Sequence, residues 1–156
     1  MILHFAYGAN MSRAVMAKHA PAAEPIGVAS LAHHGFVITA DGYASVKPKS
    51  TDTVHGVLWK LGPDDRATLD AWESVAEGLY RAQTMAVTRA GQLHTALVYV
   101  ARPSESGEAR PGYMELVIAA ALEWQLPKAY IELLEGWRPQ QAAGGVPRKH
   151  GDFGWT

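Results

Sequence analysis

Apolar residues in this chain fall into short runs separated by Gly- and Pro-marked breaks, and those runs predict the elements. Residues 2–7 (ILHFAY) form a compact apolar and aromatic run of the length of a buried strand. Residues 13–19 read as a short helix, closed by Pro21. Residues 26–31 and 35–40 look like two strands joined by the polar pair His33 and His34, with a turn at Asp41-Gly42. Residues 43–52 are polar and contain Pro48, which predicts a loop or a ragged edge strand. Residues 53–61 (TVHGVLWKL) predict a strand. Gly62-Pro63-Asp64-Asp65 then starts a helix, with Pro in the first turn and acids at the positive end. That helix runs to Trp72 or Ala76.

Residues 80–88 and 93–100 predict two strands joined by a hairpin at Ala90-Gly91-Gln92. Residues 102–112 are a polar loop. In residues 113–124 a helix aligns Tyr113, Leu116, Val117, Ala120 and Trp124 on one face. In residues 127–137 another aligns Tyr130, Leu133, Leu134 and Trp137. The domain is expected to occupy residues 1–137. Residues 138–156, rich in Pro, Gly and Gln, are expected to form a tail, with Phe153 and Trp155 pinning it to the body. Several strands interleaved irregularly with few helices predict an α+β domain with a curled or barrel-like sheet.

Composition narrows the function. The chain has 156 residues, about the size of one domain, and 48% are apolar, enough for a real core. A net charge of −1 and the lack of a basic block give nucleic-acid binding little support. No apolar run is long enough to span a membrane, and no signal-like start is visible, so a cytoplasmic location is expected. With no cysteine, disulfides, thiol nucleophiles and thiolate metal sites are excluded. The seven His are scattered; His33 and His34 would face opposite sides of a strand, and no H-E-x-x-H pattern occurs. No metal site and no cofactor are expected.

Two stretches carry candidate chemistry. In FAYGANMS (residues 5–12) a strand stops at Gly8 and a helix follows soon after. Gly8 can take φ > 0 and let another group approach the backbone, while Asn10 or Ser12 can cap the helix. Strand, tight turn and helix start gather N–H groups around a space that suits a carboxylate or an oxyanion; the same residues also suit an ordinary strand-to-helix turn. In LDAWESVAEGLY (residues 69–80), Leu69, Glu73 and Ala76 share a helical stripe. Leu69 marks it as the buried one, so Glu73 is the acid that points inward. A buried carboxylate is costly unless paired or used, and desolvation raises its pKa toward the range of a general base. If the helix frays earlier, Glu73 faces water and Glu77 is the rival.

Together these stretches resemble the gamma-glutamylcyclotransferase family. FAYGAN resembles that family's FAYGSN loop, VHGVLWKL its strand before the catalytic helix, and LDAWESVAEGLY its helix. PGYMELVIAAALEWQLPKAYIELL resembles its C-terminal helical region. The likeness runs from Ile2 to about Leu134. It implies a small mixed β-barrel with surrounding helices, and release of 5-oxoproline from a gamma-glutamyl amide, a small-molecule substrate, without metal or cofactor. It implies Glu73 as the catalytic acid/base. It implies Tyr7, Gly8, Ala9 and Asn10 as the substrate loop, with Tyr80 and Tyr113 also contacting substrate. Ala9 departs from the family's usual Ser. Two other readings stay open: removal of a gamma-glutamyl group from a specialised, antibiotic-type metabolite, and a binding module that kept the fold without catalysis. Neither the leaving amine nor the oligomeric state is legible in the sequence.

Overall fold

The computed structural model describes residues 1–139. Among these residues, five strands close into a barrel in the order β1-β3-β2-β4-β5, with four α-helices around it. Strand β1 (Ile2–Ala6) lies antiparallel to β3 (Ala44–Leu61), from Ile2 opposite Leu61 to Ala6 opposite Val57. It meets β5 (Gln92–Ala101) in parallel at the pair His4 and Leu97. β2 (Glu24–Ile38) pairs along the length of β3, β4 (Tyr80–Arg89) pairs along β5, and Ser30 and Thr88 join β2 to β4. The sheet is therefore mixed, as the α+β barrel expectation holds.

The first hairpin corrects two expectations. Residues 26–31 and 35–40 are not two strands: β2 runs through the His pair. Its register shifts between Ala32 and His34, and His33 takes the left-handed conformation at φ 62°. The extra residue is absorbed as a bulge, so pairing continues on both sides. Residues 43–52 are not a loop, because β3 starts at Ala44 and carries them. Pro48 sits opposite His34, beside the bulge, where a missing N–H disrupts the ladder least. Gly56 in β3 is packed so tightly that a Cβ there would lie 2.2 Å from the Ala6 carbonyl oxygen.

The helices also adjust the sequence picture. α1 (Arg13–His19) is capped by Ser12, whose Oγ accepts from the Val15 amide at 3.3 Å. α2 (Asp65–Trp72) starts after Pro63, which stands in the preceding turn, and Asp65 accepts from the Gly62 amide at 2.7 Å. It stops at Trp72, short of Ala76. α3 (Tyr113–Glu123) and α4 (Lys128–Glu135) bury Tyr113, Val117, Ala120, Tyr130 and Leu134. Leu133 is exposed, contrary to its predicted place on the inner face, because an eight-residue helix buries only one narrow stripe. Phe153 and Trp155 lie outside the described residues. No helix among the described residues is long and apolar enough to cross a membrane.

Candidate active site

The register of β1 creates the site. β1 ends opposite Val57, whereas β3 extends back to Ala44, so past Ala6 no strand stands between β3 and β5. Tyr7 fills that gap: its hydroxyl donates to the Tyr99 carbonyl of β5 at 2.5 Å. Alongside, the Ala101 amide donates to Ser45 Oγ at 3.0 Å, linking β5 to β3. The chain then turns at Gly8 into a single 3-10 turn (Ala9–Met11). Gly8 has φ −119°, so the expected left-handed turn does not occur there. The Met11 and Ser12 amides close on Gly8 and Ala9 carbonyls and are spent on the turn. With Ser12 as the cap of α1, Asn10 is released for another task.

That task is Glu73. Asn10 Nδ2 donates to Glu73 Oε2 at 3.3 Å, and both side chains are buried. Glu73 is 0% exposed, and its other oxygen, Oε1, has no hydrogen-bond partner. Its place follows from the end of α2: its amide bonds the Leu69 carbonyl, and Ser74 turns left-handed at φ 54°. The carboxylate thus lies inside because the helix stops on it. Ala76 and Glu77 are carried to the surface by the turns that follow, so the stripe of Leu69 and Glu73 does not extend to Ala76. Burial pushes the Glu73 carboxyl well above its usual range. The Asn10 bond opposes that shift and nearby Asp70 adds to it.

Tyrosines surround this acid. Burial raises the Tyr7 phenol, and the Glu73 and Tyr113 groups raise it further. Tyr80 donates to the Ala44 carbonyl at 2.6 Å, and the Ala44 amide donates to the Tyr113 hydroxyl at 3.2 Å. Both rings therefore grip the first residue of β3, and Tyr43 packs edge-on against Tyr113. Three residues that sequence reasoning left aside belong here as well. Tyr99 donates to Asp70 Oδ1 at 2.6 Å, Asp70 faces Arg66 at 3.6 Å, and Ser45 lies beside the Tyr7 phenol. Asp70 does not share the stripe of Leu69 and Glu73, so the helical pattern does not single it out, and Tyr99 gives no signal beyond strand alternation.

The loop is braced from behind. Trp124, at the end of α3, donates from Nε1 to the Met11 carbonyl at 2.7 Å, and the Arg13 guanidinium lies 3.9 Å over its ring. Among the described residues, no group of three His, Asp or Glu side chains is placed to hold a metal ion.

Known proteins resemble the chain in sequence and in fold. A model of the AIG2-like family matches residues 53–134. Human gamma-glutamylcyclotransferase is 28% identical over 168 residues, covering 97% of this chain and 86% of that protein. The mouse gamma-glutamylcyclotransferase is 30% identical over 106 residues. That match takes in 67% of this chain and spans only 56% of the mouse protein's length. A solved gamma-glutamyl cyclotransferase structure superposes with a TM-score of 0.86 at 26% identity, covering 97% of this chain and 95% of the other.

Proposed function

The chain belongs to the AIG2-like family and carries the gamma-glutamylcyclotransferase fold, and on that premise we propose that it releases 5-oxoproline from a gamma-glutamyl amide. In this reaction the substrate carries its own nucleophile. Its α-amine attacks its γ-carbonyl carbon, a five-membered ring forms, the C–N bond to the leaving amine breaks, and the two protons that the α-ammonium gives up in becoming the lactam N–H pass to the leaving nitrogen, which departs as an ammonium. No protein nucleophile, metal or cofactor is needed. The protein must bend the glutamyl chain, move the proton and hold the oxyanion.

Glu73 is the proton carrier in this reading. The observation that supports it most is its buried carboxylate with one unpartnered oxygen beside the Gly8 loop. A buried acid without a full set of partners is costly to keep in a purely structural role, which also weighs against a non-catalytic binding module. Its raised pKa suits a group that takes a proton from an ammonium and returns it to an amine. Asn10 orients it. The leading amides of a helical turn lack intrahelical partners, so Ala9 and Asn10 N–H are the donors for the carboxylate or oxyanion. Ala9 supplies no hydroxyl, and the backbone takes that part. Tyr7, Tyr80 and Tyr113 wall the bent glutamyl chain. Such confinement supports effective molarities of about 10⁵–10⁸ M in intramolecular reactions.

The test is 5-oxoproline release from a panel of gamma-glutamyl amides, with and without EDTA. Glu73→Gln should lower turnover roughly 10²–10⁴-fold, the share of a positioned base, with kcat and kcat/KM falling together. Exposed Glu77→Gln should cost little. Loss of turnover in Glu77→Gln with retention in Glu73→Gln would overturn the assignment.

A further inference from the structure

α1 and α2 meet at their last residues. His19 closes α1 and Trp72 closes α2, and their rings stack with centroids 3.5 Å apart and planes tilted by 33°. Each ring is tied to one half of the buried pair Asn10 and Glu73. Trp72 directly precedes Glu73. Consecutive helical side chains leave about 100° apart, so half-buried Trp72 reaches α1 while Glu73 turns inward. α1 in turn hangs on the 3-10 turn that carries Asn10. Ser12 Oγ accepts from the Val15 amide at 3.3 Å, and the Ser12 carbonyl accepts from the Met16 amide at 3.0 Å. The ring stack and the Asn10–Glu73 hydrogen bond therefore close one loop of structure from two sides. That bond measures 3.3 Å, past the usual N–H···O range of about 2.7–3.2 Å, so it tolerates little further separation.

His19 serves here by the face of its ring. Its Nδ1 is buried and makes no hydrogen bond among the described residues. Burial, with Lys18 adding to it, lowers its pKa to about 4, so the ring is uncharged at neutral pH. Neither charge nor an Nδ1 hydrogen bond accounts for a histidine at this position, whereas a flat ring against the indole does. We propose that His19 is a positioning residue for Glu73: stacked on Trp72, it fixes the end of α2 against α1 and so holds the Glu73 carboxyl on the Asn10 side chain. The inference rests on the reading of Glu73 as proton carrier, and its first test needs no substrate.

Asn10 is the only asparagine of the chain, so selective ¹⁵N labelling gives one side-chain amide signal pair. That pair should shift in His19→Ala and in His19→Gln, which keeps a long side chain without a ring face, and stay in place in His19→Phe. In the 5-oxoproline assay His19→Ala should lower kcat roughly tenfold, within the loss of up to about 10²-fold that a misplacement of about 1 Å can cause. KM should stay within about twofold, and His19→Phe should restore kcat. In an Asn10→Ala background His19→Ala should cost nothing more, because both act on one contact. A lowered Tm with unmoved Asn10 signals and unchanged kcat would overturn the proposal and leave the stack as packing. His19→Phe behaving like His19→Ala would overturn it as well. No 5-oxoproline from the unmodified protein would overturn the cyclotransferase reading, and the Asn10 signals would still decide whether His19 places Glu73.

Discussion

Asn10 and Glu73 share one hydrogen bond of 3.3 Å across 63 residues of sequence, and it ties the 3-10 turn after β1 to the end of α2. Glutamine at position 73 can still accept that bond through its amide oxygen, so Glu73→Gln isolates the charge. The folded pKa of Glu73 is raised above its ordinary 4.5, chiefly by burial. Above pH 4.5 the unfolded chain loses this proton more readily than the folded one, so stability falls as pH rises toward the folded pKa. Glu73→Gln should therefore be more stable than the unmodified protein at pH 8, by on the order of 1 kcal/mol or about 3 °C in Tm. It should be no more stable at pH 4. Thermal melts of both proteins from pH 4 to 8 check this; a constant difference across that range would mean that the carboxyl is solvated.

His4 predicts the opposite slope at the other end of the scale. It is buried, its Nδ1 bonds the Leu97 carbonyl at 3.1 Å, and burial lowers its pKa to about 4. The unfolded chain takes up this proton near pH 6.5 and the folded one only near 4, so stability drops as pH falls from 6.5 to about 4. His4→Asn keeps a donor near Leu97 and removes the titration. Its urea midpoint should be lower than that of the unmodified protein at pH 7, but the loss between pH 6.5 and 4 should be smaller. An equal loss in both would assign the acid sensitivity elsewhere.

Asp70 should set the pH dependence of turnover. Its charge raises the Glu73 pKa, and it accepts the Tyr99 hydroxyl. Asp70→Asn removes the charge while leaving an oxygen for Tyr99. The acidic limb of the kcat/KM profile should then move to lower pH, with a change of a few-fold in the maximum. A profile that keeps its midpoint would show that Asp70 serves the fold alone.

Gly56→Ala tests how tightly β1 is pressed onto β3. The added Cβ would meet the Ala6 carbonyl oxygen at 2.2 Å and the Phe5 ring at 2.9 Å. Overpacking of this kind costs about 1–3 kcal/mol, and more where backbone must move. A drop of about 3–9 °C in Tm is expected. Because Tyr7 and the Gly8 loop follow Ala6 directly, activity should fall at temperatures where the variant is still folded.

Much of this was legible before any coordinates. β1, α1, the β4–β5 hairpin and α3 follow from apolar runs and turn residues whose local preference agrees with the final packing. The inward position of Glu73 follows from Leu69, even though the helix ends at Trp72, one residue before Glu73 and well short of Ala76. The long β2–β3 hairpin was hidden because its outer half is polar and carries Pro48. Its pairing comes from a partner strand rather than from its own pattern, and a bulge at His33 repairs the register. The division of labour between Asn10 and Ser12 was also hidden. Both residue types cap helices equally well, and only the 3-10 turn decides which of them is free to face Glu73.

The single parallel pair of His4 and Leu97 has a consequence in time. Each of the two hairpins joins strands adjacent in sequence and can form from neighbouring residues, but the seam joins positions 93 residues apart. Contacts of that separation form slowly and late. On a ribosome making roughly 5–20 residues per second, β1 waits about 5–20 s before β5 exists to receive it. Through that interval Tyr7 has no Tyr99 carbonyl to hold, and the gap that β1 leaves between β3 and β5 has no second side. Glu73 therefore has no closed barrel to bury it while the nascent chain is still growing. Its complete burial belongs to the closed barrel and comes only at the final act of folding.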